Sequence, residues 1–397
     1  MRMTGPVTGS RWTAIVGYSL VGAATQLVWL NFAGVTTVAA DRYGVSESAI
    51  GWLAQVFPLL YVVLAIPCGL ILDRWFRAGL IAGAVLTALG ALLRLVGDDF
   101  GWLLAGQIVA SIAQPLVLNA VTGITGRYLP ARDRPTGIAV GTASIFAGMV
   151  IAFLLSAVFT TSESLPTMLW VTAGFCVLAA LVLIIALRNQ GSFEVPPLRP
   201  DRSALKVAWS DSLIRRLCFL AIFPFGVFVA MSTFAQALLE PAGVSGGTAS
   251  VILLVNVIAG VLGSAIIPIL VVRRRAESSL LVVSLASTAA ACVLLALAPG
   301  VVTGFVAITL IGLLLLPALP IVLELVERRT GEADGTAAGL IWMAGNLGGL
   351  VVAVVVGLLV DHPLAAFLVM AVIAVIAVPG ARALRQPIAE LRAQSQP

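Results

Sequence analysis

Charge is the scarcest property of this sequence. Only 10% of its 397 residues are Asp, Glu, Lys or Arg, whereas 60% are hydrophobic. Soluble domains carry about 25% charged residues, so a water-soluble enzyme, a nucleic-acid-binding domain and a disordered regulator are excluded together. Histidine occurs once, at His362, and Cys68, Cys176, Cys218 and Cys292 are scattered singly through apolar runs with no CxxC. That leaves no plausible zinc site and no disulfide framework, and the thiols read as small apolar filler. No HExxH, buried aspartate pair or Ser/His arrangement marks an enzyme, and neither a metal nor a cofactor is expected. No ionisable residue falls in the middle of a long apolar run. Such residues are usually kept for anion binding or proton relay, so both are disfavoured.

What is present is apolar sequence in membrane-sized pieces. Runs bounded by charge or Gly/Pro clusters fall at roughly 13–40, 49–72, 78–97, 101–126, 135–158, 166–187, 214–239, 248–272, 279–298, 301–325, 335–360 and 363–381. A span needs about 20 apolar residues, and a backbone in lipid must satisfy its own hydrogen bonds, so these are helices. The first run is too long for a signal-peptide core and reads as a retained span. With an even number of spans both termini lie on one side. That side receives 21 of the 23 basic residues, and the other only Arg42 and Arg94. The bias places both termini in the cytoplasm of a plasma-membrane protein.

The longest polar break divides the runs six and six. The expected organisation is a first six-helix half at 1–188, a cytoplasmic linker at 189–213 and a second half at 214–397, with a short amphipathic helix over Ala204–Arg216 at their junction. The fold class is an all-α polytopic membrane protein of twelve transmembrane helices in two pseudo-symmetric halves. Two such halves joined by a long linker resemble the major facilitator plan, which implies rocking of the halves around a central site.

Gly69-Leu-Ile-Leu-Asp73-Arg74-Trp-Phe-Arg77, between runs 2 and 3, is similar to that superfamily's signature loop, G-x-L-x-D-R-x-G-R. Phe76 stands where the pattern has Gly, and Ile71 where it has Leu. Gly126-Arg127-Tyr128-Leu129-Pro130 also looks like the superfamily. The resemblance implies a conformational charge network built from Asp73, Arg74, Arg77 and Arg127. Glu324 and Glu240, toward helix ends, read as gate or end-cap residues unless they reach the cavity.

A narrower resemblance runs through separate fragments in order. Tyr18-Ser-Leu-Val21, Trp29-Leu-Asn31 and Tyr43-Gly-Val45 resemble the first helix of the feline leukaemia virus subgroup C receptor (FLVCR) family, carriers of choline and ethanolamine. Gly106-Gln107 with Ser111-Ile-Ala-Gln114 resembles its helix 4, Val257–Gly263 its helix 8, Leu323-Glu324-Leu325 its helix 10 and Gly335–Leu340 its helix 11. The resemblance implies Trp29 as an aromatic face for the ligand and Gln114 as its polar partner. The Tyr that completes the family's aromatic cage on helix 7 is absent: Val229 takes that place, with Phe228 beside it. Trp342 stands where the family has Asn, and Asn346 where it has Gln.

The residues also carry a reading of their own. Six tryptophans lie near run ends or in the linker, whereas Trp29 and Trp342 lie inside their runs. An indole face holds a cation for roughly 0.5–2 kcal/mol, or simply packs between helices. The interior amides Asn31, Gln107, Gln114, Gln236 and Asn346 serve either a wet cavity or helix–helix hydrogen bonds. The expected function is a monomeric facilitative carrier of a small neutral or cationic organic solute, an amine such as choline or ethanolamine. Its partners are then that solute and the lipid bilayer, with no nucleic acid. The alternatives are an efflux carrier for hydrophobic compounds and, behind it, a receptor that transports nothing.

Overall fold

The structure is a computed structural model. It describes residues 11–130, 133–188, 191, 209–274, 276–318, 321–322, 325–326, 329 and 335–394. Among them every long regular element is an α-helix. In chain order these are α1 (Trp12–Leu30), α2 (Thr36–Tyr43), α3 (Glu47–Leu93), α4 (Phe100–Leu118), α5 (Val121–Tyr128), α6 (Arg134–Val158) and α7 (Leu165–Ala186). They continue as α8 (Ser212–Leu239), α9 (Gly246–Arg273), α10 (Glu277–Leu297), α11 (Val301–Leu315), α12 (Gly335–Gly357), α13 (Pro363–Ala383) and α14 (Arg385–Gln394). Eleven stretches are long and apolar enough to cross a membrane, and α11 is a shorter apolar helix. Chain length and hydrophobicity thus yield the expected all-α membrane fold.

Five runs depart from plain, separate helices. The first breaks after Leu30, passes through turns at 31–34 and resumes as α2, which ends on Gly44 in the left-handed region (φ 63°). Runs 2 and 3 are two helical spans, Glu47–Leu72 and Arg74–Leu93, that follow each other in α3 across a kink at Trp75 (φ −132°, ψ 54°) inside the signature loop. The fourth run divides into α4 and α5 around Asn119 and Ala120, one turn after Pro115. Proline lacks the N–H that would continue the ladder. The tenth run leaves the helix at Leu316, before Pro317. Residues 189–190 and 192–208 lie outside the described residues, and with them the first part of the amphipathic helix expected at Ala204–Arg216; in its described part the helix is broken at Asp211. Asp211 caps α8, its carboxylate accepting from the Leu213 and Ile214 N–H groups.

The chain clusters into two compact units. One comprises Met1–Trp29, Val63–Ala152 and Pro166–Arg199; the other comprises Leu30–Val62, Phe153–Leu165 and Pro200–Pro397. In the first unit, glycine lets backbones touch. A Cβ on Gly148 of α6 would collide with the Ala23 carbonyl of α1, and one on Gly90 of α3 with the Gly106 carbonyl of α4. In the second unit α8 packs along α12, α10 along α13 and α9 along α11. There Gly348 meets the Ile222 backbone and Gly312 the Asn256 backbone. Helices already surrounded by hydrocarbon gain little from further apolar burial, so close backbone contact is what holds them. Leu297, Val302 and Leu358 are more than 70% exposed, the pattern of a surface that faces lipid.

Gly148→Val is expected to force α6 off α1 and cost about 1–3 kcal/mol. The melting temperature of the detergent-solubilised protein should fall accordingly. Gly174→Ala, where nothing lies within 4 Å, is the control that should leave it unchanged.

Candidate functional site

In the first unit, Gln107 of α4 and Arg94, the residue after α3, meet the last turn of α1. Trp29 lies in the last turn of α1 and is 7% exposed, whereas Trp12, Trp52, Trp75, Trp102, Trp170 and Trp209 are all exposed. Gln107 is fully buried and already engaged: its Nε2 donates to the Val28 carbonyl at 3.2 Å and its Oε1 accepts from Arg94 Nη1 at 3.0 Å. Gln114, seven residues further along α4 and so on the same face, is 4% exposed. No hydrogen bond joins its amide to another described residue. Of the two glutamines, Gln114 therefore has its polar atoms available and Gln107 does not.

Arg94 was not visible to the sequence as an interior residue. It follows the last residue of α3 and reads there as a loop cation, yet it is among the largest fully buried side chains. Gly106 makes room for it, since a Cβ there would collide with Arg94 Cγ. A buried cation beside α1 thus exists where mid-run counting found none.

In the second unit, segments of the first sequence half close against the second half at one end of the helices. The backbone N–H of Thr37 in α2 donates to Gln236 Oε1 of α8 at 3.0 Å. Gln236 Nε2 donates in turn to Thr37 Oγ1 at 2.9 Å and to Glu240 Oε2 at 2.8 Å. Gln55 of α3 donates to Thr233 Oγ1 at 3.1 Å, and Ser250 of α9 to the Gly34 carbonyl at 3.1 Å. Phe234 fills the space between Gly51 and Gly357, and a Cβ on Gly34 would collide with the Ser250 and Ser156 hydroxyls. Gln236, expected as a ligand residue, sits in this seal with both ends of its amide used. Asn31 is fully buried at the start of the interruption.

Trp342 and Asn346 share one face of α12. Trp342 stands edge-on to Phe225 of α8, centroids 6.1 Å apart at 82°, a geometry in which the positive ring edge meets the negative face. Asn346 Nδ2 donates to the Trp342 carbonyl one turn back at 2.9 Å. Val229 is packed against Gly349, so no aromatic ring of α8 occupies that place; Phe225 is the one that meets Trp342. A cleft of about 690 Å³ opens at the sealed end between α6 and α9, lined by Thr160, Gly246, Thr248 and Phe305 among others. None of the expected ligand residues lines it.

The signature loop shows how its departure is accommodated. Phe76, where the pattern has Gly, is buried with the Arg127 guanidinium 4.2 Å above its ring, and Gly123 of α5 leaves room for that ring. Arg127 also donates to the Gly123 carbonyl at 3.2 Å, and Arg77 to the Arg188 carbonyl at 3.0 Å. Arg74 lies over its neighbour Trp75. The Asp73 side chain and Glu324 lie outside the described residues, so the carboxylate half of the expected network does too. An ion pair that the sequence did not indicate joins Asp211, the α8 cap, to Arg329 at 2.8 Å. Burial pushes the Asp211 carboxyl up. The Arg329 hydrogen bond, the two helix N–H groups and the guanidinium charge outweigh it and hold the carboxyl below its ordinary value.

Interrupted apolar helices, interior amides and a polar seal at one end define a polytopic transporter fold. The chain belongs to the Major Facilitator Superfamily, whose family description matches residues 14–353. It is 27% identical over 365 residues to Solute carrier family 49 member A3 of Danio rerio, covering 85% of this chain and 76% of that protein. It is 23% identical over 389 residues to the human choline/ethanolamine transporter FLVCR2, covering 90% and 73%. Among solved structures, it matches a bacterial homologue of the human lysosomal transporter Spinster in an inward-facing, occupied conformation. That match has a TM-score of 0.72 at 15% identity and covers 96% and 98% of the two chains. The chain is therefore a major facilitator transporter that resembles the FLVCR proteins.

Two outcomes test this geometry. Cysteines at Gln55 and Thr233 bridged by a short bifunctional thiol reagent should abolish transport, and reductive cleavage should restore it. The Asp211 contribution is present above its ordinary pKa of 3.8 and is lost as pH falls through the lower folded value. The melting temperature of Asp211→Asn should accordingly lie below that of the unaltered protein at pH 6–8, and the gap should begin to narrow only as pH falls below about 4.

Proposed function

We propose that the chain is a facilitative carrier of a small organic amine, such as choline or ethanolamine, working by rocker-switch alternating access. The observation that carries this reading is Trp29 in the last turn of an apolar helix that stops inside its own run. Carbonyls of that last turn are already engaged, Val28 by Gln107 and Arg94 and Leu30 by the Ala33 N–H, so the indole face, not the helix end, is the group left to meet a cation. An indole attracts a cationic headgroup through its face, and the available Gln114 amide suits a hydroxyl. The naming of FLVCR2 as a choline/ethanolamine transporter supports the same class. The half-buried Trp342–Phe225 pair is the second aromatic element of this proposal, standing in for the Tyr that the FLVCR pattern carries on helix 7.

The seal through Thr37, Gln236, Gln55 and Ser250 is proposed as the outer gate. The Asp73, Arg74, Arg77, Arg127, Glu324 and Asp211–Arg329 groups are proposed as the inner one. The arginine bias supports both termini in the cytoplasm; a plasma-membrane location and a monomeric state are proposed with it. In proteoliposomes, preloaded choline or ethanolamine is expected to drive counterflow of the labelled amine. Trp29→Ala should raise KM about tenfold, the loss of roughly 1.4 kcal/mol of aromatic contact. Absence of counterflow with any small amine overturns the reading. Export of hydrophobic cations under the same conditions would replace it with drug efflux.

A further inference from the structure

Arg94 has no role in the carrier as described so far, and its surroundings give it one. The last four carbonyls of any helix lack the amides that would have followed. In α1 this last turn lies inside the protein, because the chain leaves the helix after Leu30. The Val28 carbonyl, in that turn and next to Trp29, receives Gln107 Nε2 at 3.2 Å and Arg94 Nη1 at 3.4 Å. The shorter bond from Arg94 Nη1 to Gln107 Oε1, 3.0 Å, decides which way the amide points. A guanidinium has only donors, so it holds the oxygen of Gln107 toward itself and turns the nitrogen to Val28. A cation near a helix C-terminus is also favoured by the helix dipole.

We propose that Arg94 is a positioning residue of the transport site. Directly and through Gln107, it caps the interrupted first helix at Val28 and fixes the last turn that carries Trp29. The proposal rests on the reading of Trp29 as a substrate contact, but the cap itself is independent of which solute is carried. Its geometry also explains why Gly106 lies beneath Arg94: any side chain there would displace the arginine stem.

The test combines amine transport with hydrogen exchange on the full-length protein. Arg94→Met is expected to raise the KM for choline about tenfold while Vmax per folded molecule stays within about twofold, the size of one lost aromatic contact. It should also speed amide exchange in peptides covering residues 27–36, leaving α6 and α7 unchanged. Arg94→Lys, which restores a donor, should recover much of both. A purely structural role predicts the opposite split, with lower Vmax and yield at an unchanged KM. Unchanged KM together with unchanged exchange at 27–36 in folded Arg94→Met overturns the proposal. Should Arg94→Met not fold, Gln107→Met is expected to show the same rise in KM and the same faster exchange, and the absence of both overturns the proposal equally. If the unaltered protein moves no amine, the substrate reading fails while the exchange measurement still decides the cap.

Discussion

The constraint on which everything else depends is that hydrocarbon supplies no hydrogen bonds. A backbone in lipid is free to leave the helix only where protein groups take over its donors and acceptors. This chain leaves the helix inside its first run, and nearby side chains meet the requirement. Gln107 and Arg94 bond the Val28 carbonyl, Ser250 donates to the Gly34 carbonyl, and Gln236 accepts the Thr37 N–H. The irregular segment from Asn31 to Val35 is therefore held at both ends by side chains from other helices. The residues proposed as the outer gate and as the cap of α1 are recruited by the same need.

Close packing follows from the same solvent. Lipid tails are as apolar as leucine, so helices adhere through shape and short polar contacts. Gly148 against α1, Gly348 against α8 and Gly312 against α9 let backbones meet directly. At the sealed end the contacts are of another kind: amide to hydroxyl, hydroxyl to carbonyl, and one phenyl ring between two glycines. None of the described bonds that cross from first-half to second-half segments there pairs two full charges. The carboxylate involved, Glu240, bonds Gln236 within its own half.

Much of this was legible in the residues alone. The signature loop with the ordered fragments leads to the family, and twelve apolar runs lead to the helices, because membrane thickness converts run length directly into structure. The distinction of Trp29 from the six exposed tryptophans was legible for the same reason. Gln236 and Gln107 were harder. An interior amide serves ligand or helix equally well by composition, and only the distances to Thr37 and Arg94 tell which it serves here. Arg94 was missed because its backbone stands at a helix end while its side chain runs inward over Gly106. A count of charge by position sees the backbone alone. The Gly123 that matches Phe76 was likewise invisible, since the two are distant in sequence and meet only through packing.

The strength of the seal bears on whether it is able to open. Each neutral hydrogen bond contributes about 0.5–1.5 kcal/mol net, so the few that join Thr37, Gln55 and Ser250 to their partners amount to several kcal/mol. Moving a two-state equilibrium from 1:99 to 99:1 requires about 5.5 kcal/mol of differential binding. A seal of that size is within reach of one small ligand. A single desolvated ion pair would concentrate a comparable cost, about 3–5 kcal/mol when one charge loses its partner, in one contact. Because the described bonds that cross the seal are neutral, opening it exchanges hydrogen bonds with water or ligand and separates no buried ion pair.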